Sequence, residues 1–429
     1  MRLKKYLLAF SLIMFLSVSA SAQSGQWTGD LDVRGTKLQL IFNFDGDAVT
    51  LDVPDQGGKD IPATLTRTPE GKIIIGIPSI GARFEGLWLS RMIAGSFSQS
   101  GLNLPLSLRP GATKRNRPQT PAGPFPYTTE DVSFTNGAAV LSGTLTLPEG
   151  WSTKTPAVVM VTGSGLQNRD EELFEHKPFA VIADALARNG IASLRYDDRG
   201  FGKSTGDAAS ATMRDFKDDA EAGLDLLRSR FDRTGIIGHS EGGTIAMLLA
   251  GEDKVDFAVS LAGMFISGAE TLLDQNRHAL AQTGFSTADT EMYVNALAAA
   301  FEASSTGIPM PSPSDVPEAL QRNFAAVLVQ IRTPYLAEFI STDIAGSQKD
   351  ITCPVLALNG TKDTQVDAAK NLQAIRPLLK SEKSVISEQP SLNHLFQHCQ
   401  TGETSEYKTI EETFSPDVLD LIVEWINSL

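Results

Sequence analysis

The chain has 429 residues, 41% of them hydrophobic and 21% charged, the composition of an ordinary soluble globular protein. A formal charge of −14 argues against nucleic acid or an anionic membrane as partner, and two cysteines are too few for a disulfide scaffold or a cysteine-based metal site.

The first 22 residues combine a basic start (Arg2, Lys4, Lys5), an apolar stretch from Leu7 to Val18 and the small-residue end Ala20-Ser21-Ala22. That order predicts a signal peptide cleaved before Gln23, and hence a periplasmic or secreted protein. An apolar run of about a dozen residues is short for a bilayer span, so no membrane anchor is expected. Residues 23–110 carry short alternating stretches, from WTGDLDV to LPLSL, separated by Gly, Asp and Pro turns. They predict a separate N-terminal all-β domain, an antiparallel barrel or a sandwich. Its aromatic residues Trp27, Phe42, Phe44, Phe84, Trp88 and Phe97 are expected to fill the core. Residues 111–127, in a stretch with five prolines between Pro110 and Pro126, read as a stiff linker.

From residue 128 onward the texture changes. A hairpin over EDVSFTNGAAVLSGTLTLPEG leads into apolar strands (PAVVMVTG, IASLRYDD, TGIIGHS, VDFAVSLAG, CPVLALNG, KSVISEQ) that alternate with amphipathic helices. Uniformly apolar strands separated by helices predict a mostly parallel sheet with helices on both faces, which places ligands at the carboxyl ends of its strands. Cys353 and Cys399 fall toward opposite ends of the CPVLALNG strand and are expected to be free thiols.

GIIGHSEGG, residues 235–243, is the stretch that carries chemistry. A bare G-x-S-x-G arises by chance in roughly 0.2 of chains this long. Here, however, Ser240 stands between an apolar strand and a helix, with Gly238 and Gly242 two residues to either side, which suits a sharp strand-to-helix turn. A serine hydroxyl needs a base, and the base needs a carboxylate to orient it. Of the five histidines, His394 follows the last strand and is the predicted base, with His398 as the alternative. His239 adjoins the nucleophile in the chain, so its side chain should leave the turn in another direction and pack. His176 and His278 sit at the start of the first helix and in a helical insertion. Asp363, three residues after the Gly that ends CPVLALNG, is the predicted acid, although an aspartate before a helix also suits an N-cap; Asp367 is the alternative. Oxyanion donors are expected from the amide of Glu241, at a helix start, and from the turn VTGSG, where Gly163 and Gly165 let the backbone approach and Ser164 supplies the N–H.

These residues resemble the α/β-hydrolase superfamily, in particular exported bacterial esterase-like members with an N-terminal β domain. The resemblance covers about residues 127–429 and rests on GSG-x-x-x-RDE (163–172), YDDRGFGKS (196–204), GHSEGG (238–243), NGTKD (359–363) and LNH (392–394). It implies Ser240, Asp363 and His394 as a catalytic triad, with Arg169, Asp170, Asp198 and Arg199 as a charged network bracing the site. Leu166 departs from the pattern, which tends to have proline there, and leaves the oxyanion geometry open.

The stretch from about 264 to 350 is helical and interrupted by Pro309, Pro311 and Pro313; in such folds an insertion there caps the pocket. Met264, Phe265 and Phe339 are candidates for an acyl pocket. The expected function is hydrolysis of carboxylic esters of small or medium acyl groups through an acyl-enzyme, with no metal and no organic cofactor. An exopeptidase or amidase with Glu270 or Glu302 facing a substrate ammonium is the alternative, followed by an acyltransferase and, last, a binding protein that lost turnover. The partner is a small ester or amide; the oligomeric state stays open, a homodimer included.

Overall fold

The computed structural model describes residues 25–33, 36–68, 71–89, 91–111, 115–347 and 350–429. The predicted signal peptide lies outside the described residues. The chain divides into two compact units, residues 1–53 with 58–113, and residues 54–57 with 114–429.

In the first unit, strands β1 (Gly25–Val33), β2 (Thr36–Asp45), β3 (Ala48–Val53), β4 (Gly58–Arg67), β5 (Lys72–Ile77), β6 (Ala82–Leu89), β7 (Met92–Gln99) and β8 (Leu102–Pro110) pair in sequence order, each antiparallel to the next. Pairing of β1 with β8, at Thr28 and Arg109, closes the barrel, which decides between the two architectures the alternation allowed. Closure removes both exposed edges. Phe42, Leu51, Ile75, Phe84, Ile93 and Leu108 are all fully buried in its core, so the barrel interior is filled by side chains.

In the second unit, a hairpin of β9 (Thr128–Asn136) and β10 (Ala139–Leu147) is followed by β11 (Ala157–Val161), α1 (Pro178–Arg188), β12 (Ala192–Tyr196), α2 (Met213–Arg228), β13 (Thr234–His239), α3 (Glu241–Gly251) and β14 (Phe257–Leu261). Helices α4 (Gly268–Gln282), α5 (Thr287–Thr306), α6 (Glu318–Gln330), α7 (Pro334–Ser341) and α8 (Ile344–Ser347) come next, and β15 (Val355–Gly360), α9 (Ala368–Ile375), β16 (Val385–Gln389) and α10 (Pro416–Asn427) complete the chain. The sheet order is β16-β15-β14-β13-β11-β12-β10-β9. It is parallel from β16 to β12, with the hairpin antiparallel at one edge.

The continuous apolar strands follow from burial on both faces. In β11, Ala157, Val159 and Val161 join the core against α2 and α3, while Val158 and Met160 join the core against α1 and α10. This is the α/β-hydrolase fold, with a separate N-terminal closed barrel. Helices α4 to α7 share a cluster of their own around Tyr293, Leu297, Phe301 and Phe324.

Residues 115–127, in the segment expected to be a stiff linker, hold no helix or strand. Arg117 donates to the carbonyls of Phe174, Lys408 and Ile410, and the Gln119 side chain bonds the main chain of Thr413 and Phe414, which ties the segment to the second unit.

Candidate active site

The sheet switches direction at β11: its successor β12 lies on one side and β13 on the other. Loops leaving the carboxyl ends of β11 and β13 therefore face each other across a crevice, where a ligand fits in such a sheet. Ser240 stands at the end of β13 with φ 52° and ψ −116°, and its N–H donates to Leu261 O at 2.8 Å. A non-glycine residue in that region is strained and persists only where its surroundings over-determine it. Here they do. A Cβ on Gly242 would lie 2.0 Å from Val161 O, and one on Gly238 1.9 Å from Gly242 O, so α3 seats against β11 only because both positions lack a side chain.

His394 reaches this crevice from the loop after β16. Its Nδ1 lies 2.7 Å from Asp363 Oδ2, and both side chains are almost wholly buried. Asp363 is fixed by its other oxygen, since Oδ1 accepts the N–H groups of Gln365 and Val366 at 2.8 and 2.9 Å. Capping of α9 falls to Asp367, which accepts the Lys370 N–H. Among the described residues no hydrogen bond joins Ser240 Oγ to His394; such contacts commonly tighten only when substrate binds.

The other histidines are engaged elsewhere. His398 is exposed beside Glu412, His278 bonds Glu403, and His176 is buried between the Thr413 hydroxyl and Tyr407 O, where burial pushes its pKa down to about 4. His239, at the end of β13, is more than packing. It lies between Glu171 and the main-chain oxygen of His394.

Of the β11 turn, the Gly163 N–H is spent on Glu171 Oε1 at 2.7 Å. Ser164 follows it, and Gly165 has φ 90°, a left-handed angle that suits glycine. Glu241 is the first residue of α3, so its N–H lies above the start of the helical ladder and at the positive end of the helix dipole.

Arg169, Asp170, Asp198 and Arg199, expected as one bracing network, each have a separate set of partners. Arg169 pairs with Asp197, at 2.9 to 3.0 Å, and binds Ser142 and Thr144. Asp170 pairs with Arg195 and Lys177. Arg199 forms a two-pronged pair with Asp219 at 2.6 and 2.7 Å, and a further contact with Asp215. Asp198 meets no arginine; it accepts the Thr162 hydroxyl at 2.9 Å and the Gln167 N–H at 2.7 Å. Neighbouring residues of an extended segment point to opposite sides, which sends Asp197 to Arg169 and Asp198 toward the crevice.

Beside the elbow opens a cavity of about 270 Å3, lined by Gly163, Leu166, Ala208, Phe216, Ile245 and Tyr335, among others. Gly163 connects it to Ser240, because a Cβ there would lie 3.2 Å from Ser240 Cβ. Met264, Phe265 and Phe339, named from sequence as pocket candidates, instead pack in the core beneath α3. Glu270 and Glu302 do not line the cavity: Glu270 sits half-exposed near Lys370, and Glu302 is exposed on α5. Two other carboxyls do, Asp198 and Glu241. Burial raises both: Glu241 to about 7, eased by the Tyr335 hydroxyl that donates to it and added to by Glu338, and Asp198 well above the usual range, with Glu241 and Glu171 adding to the shift. Tyr335, which is also pushed up by burial and by Glu241, comes from α7 and has no signal in the local sequence.

A serine on a glycine-flanked elbow and a histidine held by a buried aspartate, each in a loop at the carboxyl end of a strand of one mostly parallel sheet, define the class as α/β-hydrolase. Within it, the chain belongs to the family described as serine aminopeptidase, S33, whose pattern matches residues 175–396. It is similar to the esterase EstD of Thermotoga maritima, 26% identical over 291 residues; the match spans 67% of this chain and 65%, just under two thirds, of that protein. Among solved structures it is similar to the Pyrococcus furiosus esterase Pf2001 (16% identity, TM-score 0.44, 74% of this chain and 99% of that one). It is also similar to a proline iminopeptidase of Mycobacterium smegmatis (15% identity, TM-score 0.44, 70% and 98%).

Proposed function

We propose that the protein is a serine hydrolase that cleaves carboxylic esters of small or medium acyl groups through an acyl-enzyme. The observation that carries this reading is the buried Asp363–His394 pair, which stands with Ser240 on its strained turn among the loops at the carboxyl ends of the same sheet. Ser240 Oγ attacks the acyl carbonyl while His394 Nε2 takes its proton and passes it to the leaving alcohol. Asp363 keeps the other ring proton on Nδ1 and stabilises the imidazolium that forms. The amides of Ser164 and Glu241 receive the oxyanion, and a water, deprotonated by His394, releases the acid. A cavity of about 270 Å3 suits a short or medium acyl chain, with Leu166, Phe216 and Ile245 as its apolar wall. Similarity to an esterase supports esters as the substrate.

A second reading, an amidase or peptidase acting on substrates with a free amine, is favoured by the Asp198 and Glu241 carboxyls in the cavity wall. The test is labelling by a fluorophosphonate probe together with turnover of a p-nitrophenyl ester series and of aminoacyl p-nitroanilides, with Ser240→Ala as control. Labelling and ester turnover, both lost in Ser240→Ala, are expected. Labelling with anilide turnover alone would move the assignment to the second reading, and no labelling would overturn both.

A further inference from the structure

His239 has two hydrogen-bond partners, and both are acceptors. Its Nε2 lies 2.9 Å from the main-chain oxygen of His394, which has no proton to give, so Nε2 carries one. Its Nδ1 lies 2.9 Å from Glu171 Oε1, and the same oxygen already receives the Gly163 N–H at 2.7 Å, as an ionised carboxylate does. A neutral imidazole owns a single N–H and satisfies one of these partners; an imidazolium satisfies both. We infer that His239 is held as an imidazolium by Glu171, and that this buried ion pair is a positioning element that registers the oxyanion turn, the nucleophile elbow and the base loop on one another. The inference rests on the reading of Ser240, His394 and Asp363 as the reacting groups.

Each end of the pair grips one of those parts. Glu171 fixes the turn after β11 through Gly163, the residue before the proposed oxyanion donor Ser164. His239 is the residue before Ser240, and its Nε2 holds the carbonyl of His394 itself. Glu171 has φ 53°, a left-handed angle that a glutamate keeps only where its surroundings fix it, and its side chain is 5% exposed.

The charged and titratable groups facing His239 are Glu171 from the loop after β11, Asp363 from the loop after β15, and the His394 ring, whose centroid is 4.8 Å away. Burial lowers the pKa of His239, but the charge and hydrogen bond of Glu171, the His394 carbonyl and Asp363 outweigh it, so the net direction is up.

The test uses the full chain and has two independent readouts. In the wild-type protein with 15N-labelled histidine, NMR at about pH 7 is expected to find both ring nitrogens of His239 protonated. In steady-state ester hydrolysis, His239→Gln and Glu171→Gln are each expected to lower kcat about tenfold to a hundredfold while KM stays within about threefold. The double variant is expected to be no worse than the worse single one, since the two side chains act as a unit. Near-ultraviolet circular dichroism checks that the variants fold. A singly protonated His239 ring would overturn the inference, as would variants with wild-type kcat. A wild-type protein that neither reacts with fluorophosphonate nor turns over esters would instead overturn the hydrolase mechanism, and the NMR result would still decide the state of His239.

Discussion

Asp363 has one oxygen for its own loop and one for His394, and that division makes its role separable from its fold. In Asp363→Asn the amide oxygen can still accept the N–H groups of Gln365 and Val366, so the turn after β15 keeps its shape. The amide NH2 then faces His394 Nδ1 and demands the tautomer in which Nδ1 lacks its proton, leaving Nε2 unable to act as base. The expected outcome is a loss of kcat on the order of 10³- to 10⁴-fold with nearly unchanged thermal stability, measured by steady-state kinetics and calorimetry. Glu241 allows a prediction of the opposite kind, about stability and not turnover. Its pKa is raised in the folded state from 4.5 to about 7, first by burial, so the native state prefers the protonated carboxyl. The stability this confers is complete below about pH 4.5 and is lost as pH rises to about 7, where the unfolded chain has long since ionised. Over that window wild type should lose about 3 kcal/mol relative to Glu241→Gln and run parallel to it above, as read by denaturant midpoints across pH. Curves parallel throughout would contradict the shift. Chain order and strand ends were enough to single out Ser240, Asp363 and His394 from the sequence. The Glu241 carboxyl was not legible, because its partner Tyr335 is 94 residues away and approaches only after the helical insertion folds back.

At the level of elements, the strands of the second unit were legible because burial on both faces leaves an unbroken apolar run, and their helices because one face alone is apolar. The first unit shows what the same logic cannot decide. Alternation marks which residues of β1 to β8 face inward, and a sandwich would demand the same alternation. What separates the two is one long-range pairing, β1 with β8, and no local stretch encodes it. The Pro-rich segment shows a related limit. Five prolines forbid helix and central strand, and so predict an extended chain, but they are silent on whether Arg117 and Gln119 find carbonyls to hold. Those carbonyls belong to residues between Phe174 and Phe414, far along the chain. His239 and Glu171 were hidden in the same way: each lies inside a motif used for something else, and the bond between them crosses from one strand-end loop to another.

On the scale of the whole molecule, two units with separate cores imply two cooperative transitions and a way to address one without the other. Phe84 is fully buried, faces Phe42 with ring centroids 5.7 Å apart, and belongs to the core inside the barrel. Among the described residues no α-helix of this unit covers the barrel sheet, so its stability rests on that filled interior. Cutting Phe84 to alanine leaves a void that a closed, hydrogen-bonded wall cannot collapse to fill, at a cost of about 3–5 kcal/mol. For a unit of this size the barrel transition should fall by more than about 10 °C. The transition of the hydrolase unit should stay in place, because no residue of the barrel core belongs to the clusters that pack its sheet or its helical insertion. Ester turnover measured between the two transitions of Phe84→Ala, where the barrel is unfolded, is then expected to match that of the wild type at the same temperature. A fall in kcat at that temperature would mean that the barrel takes part in holding the site, and a single shared transition would mean that the two cores melt as one.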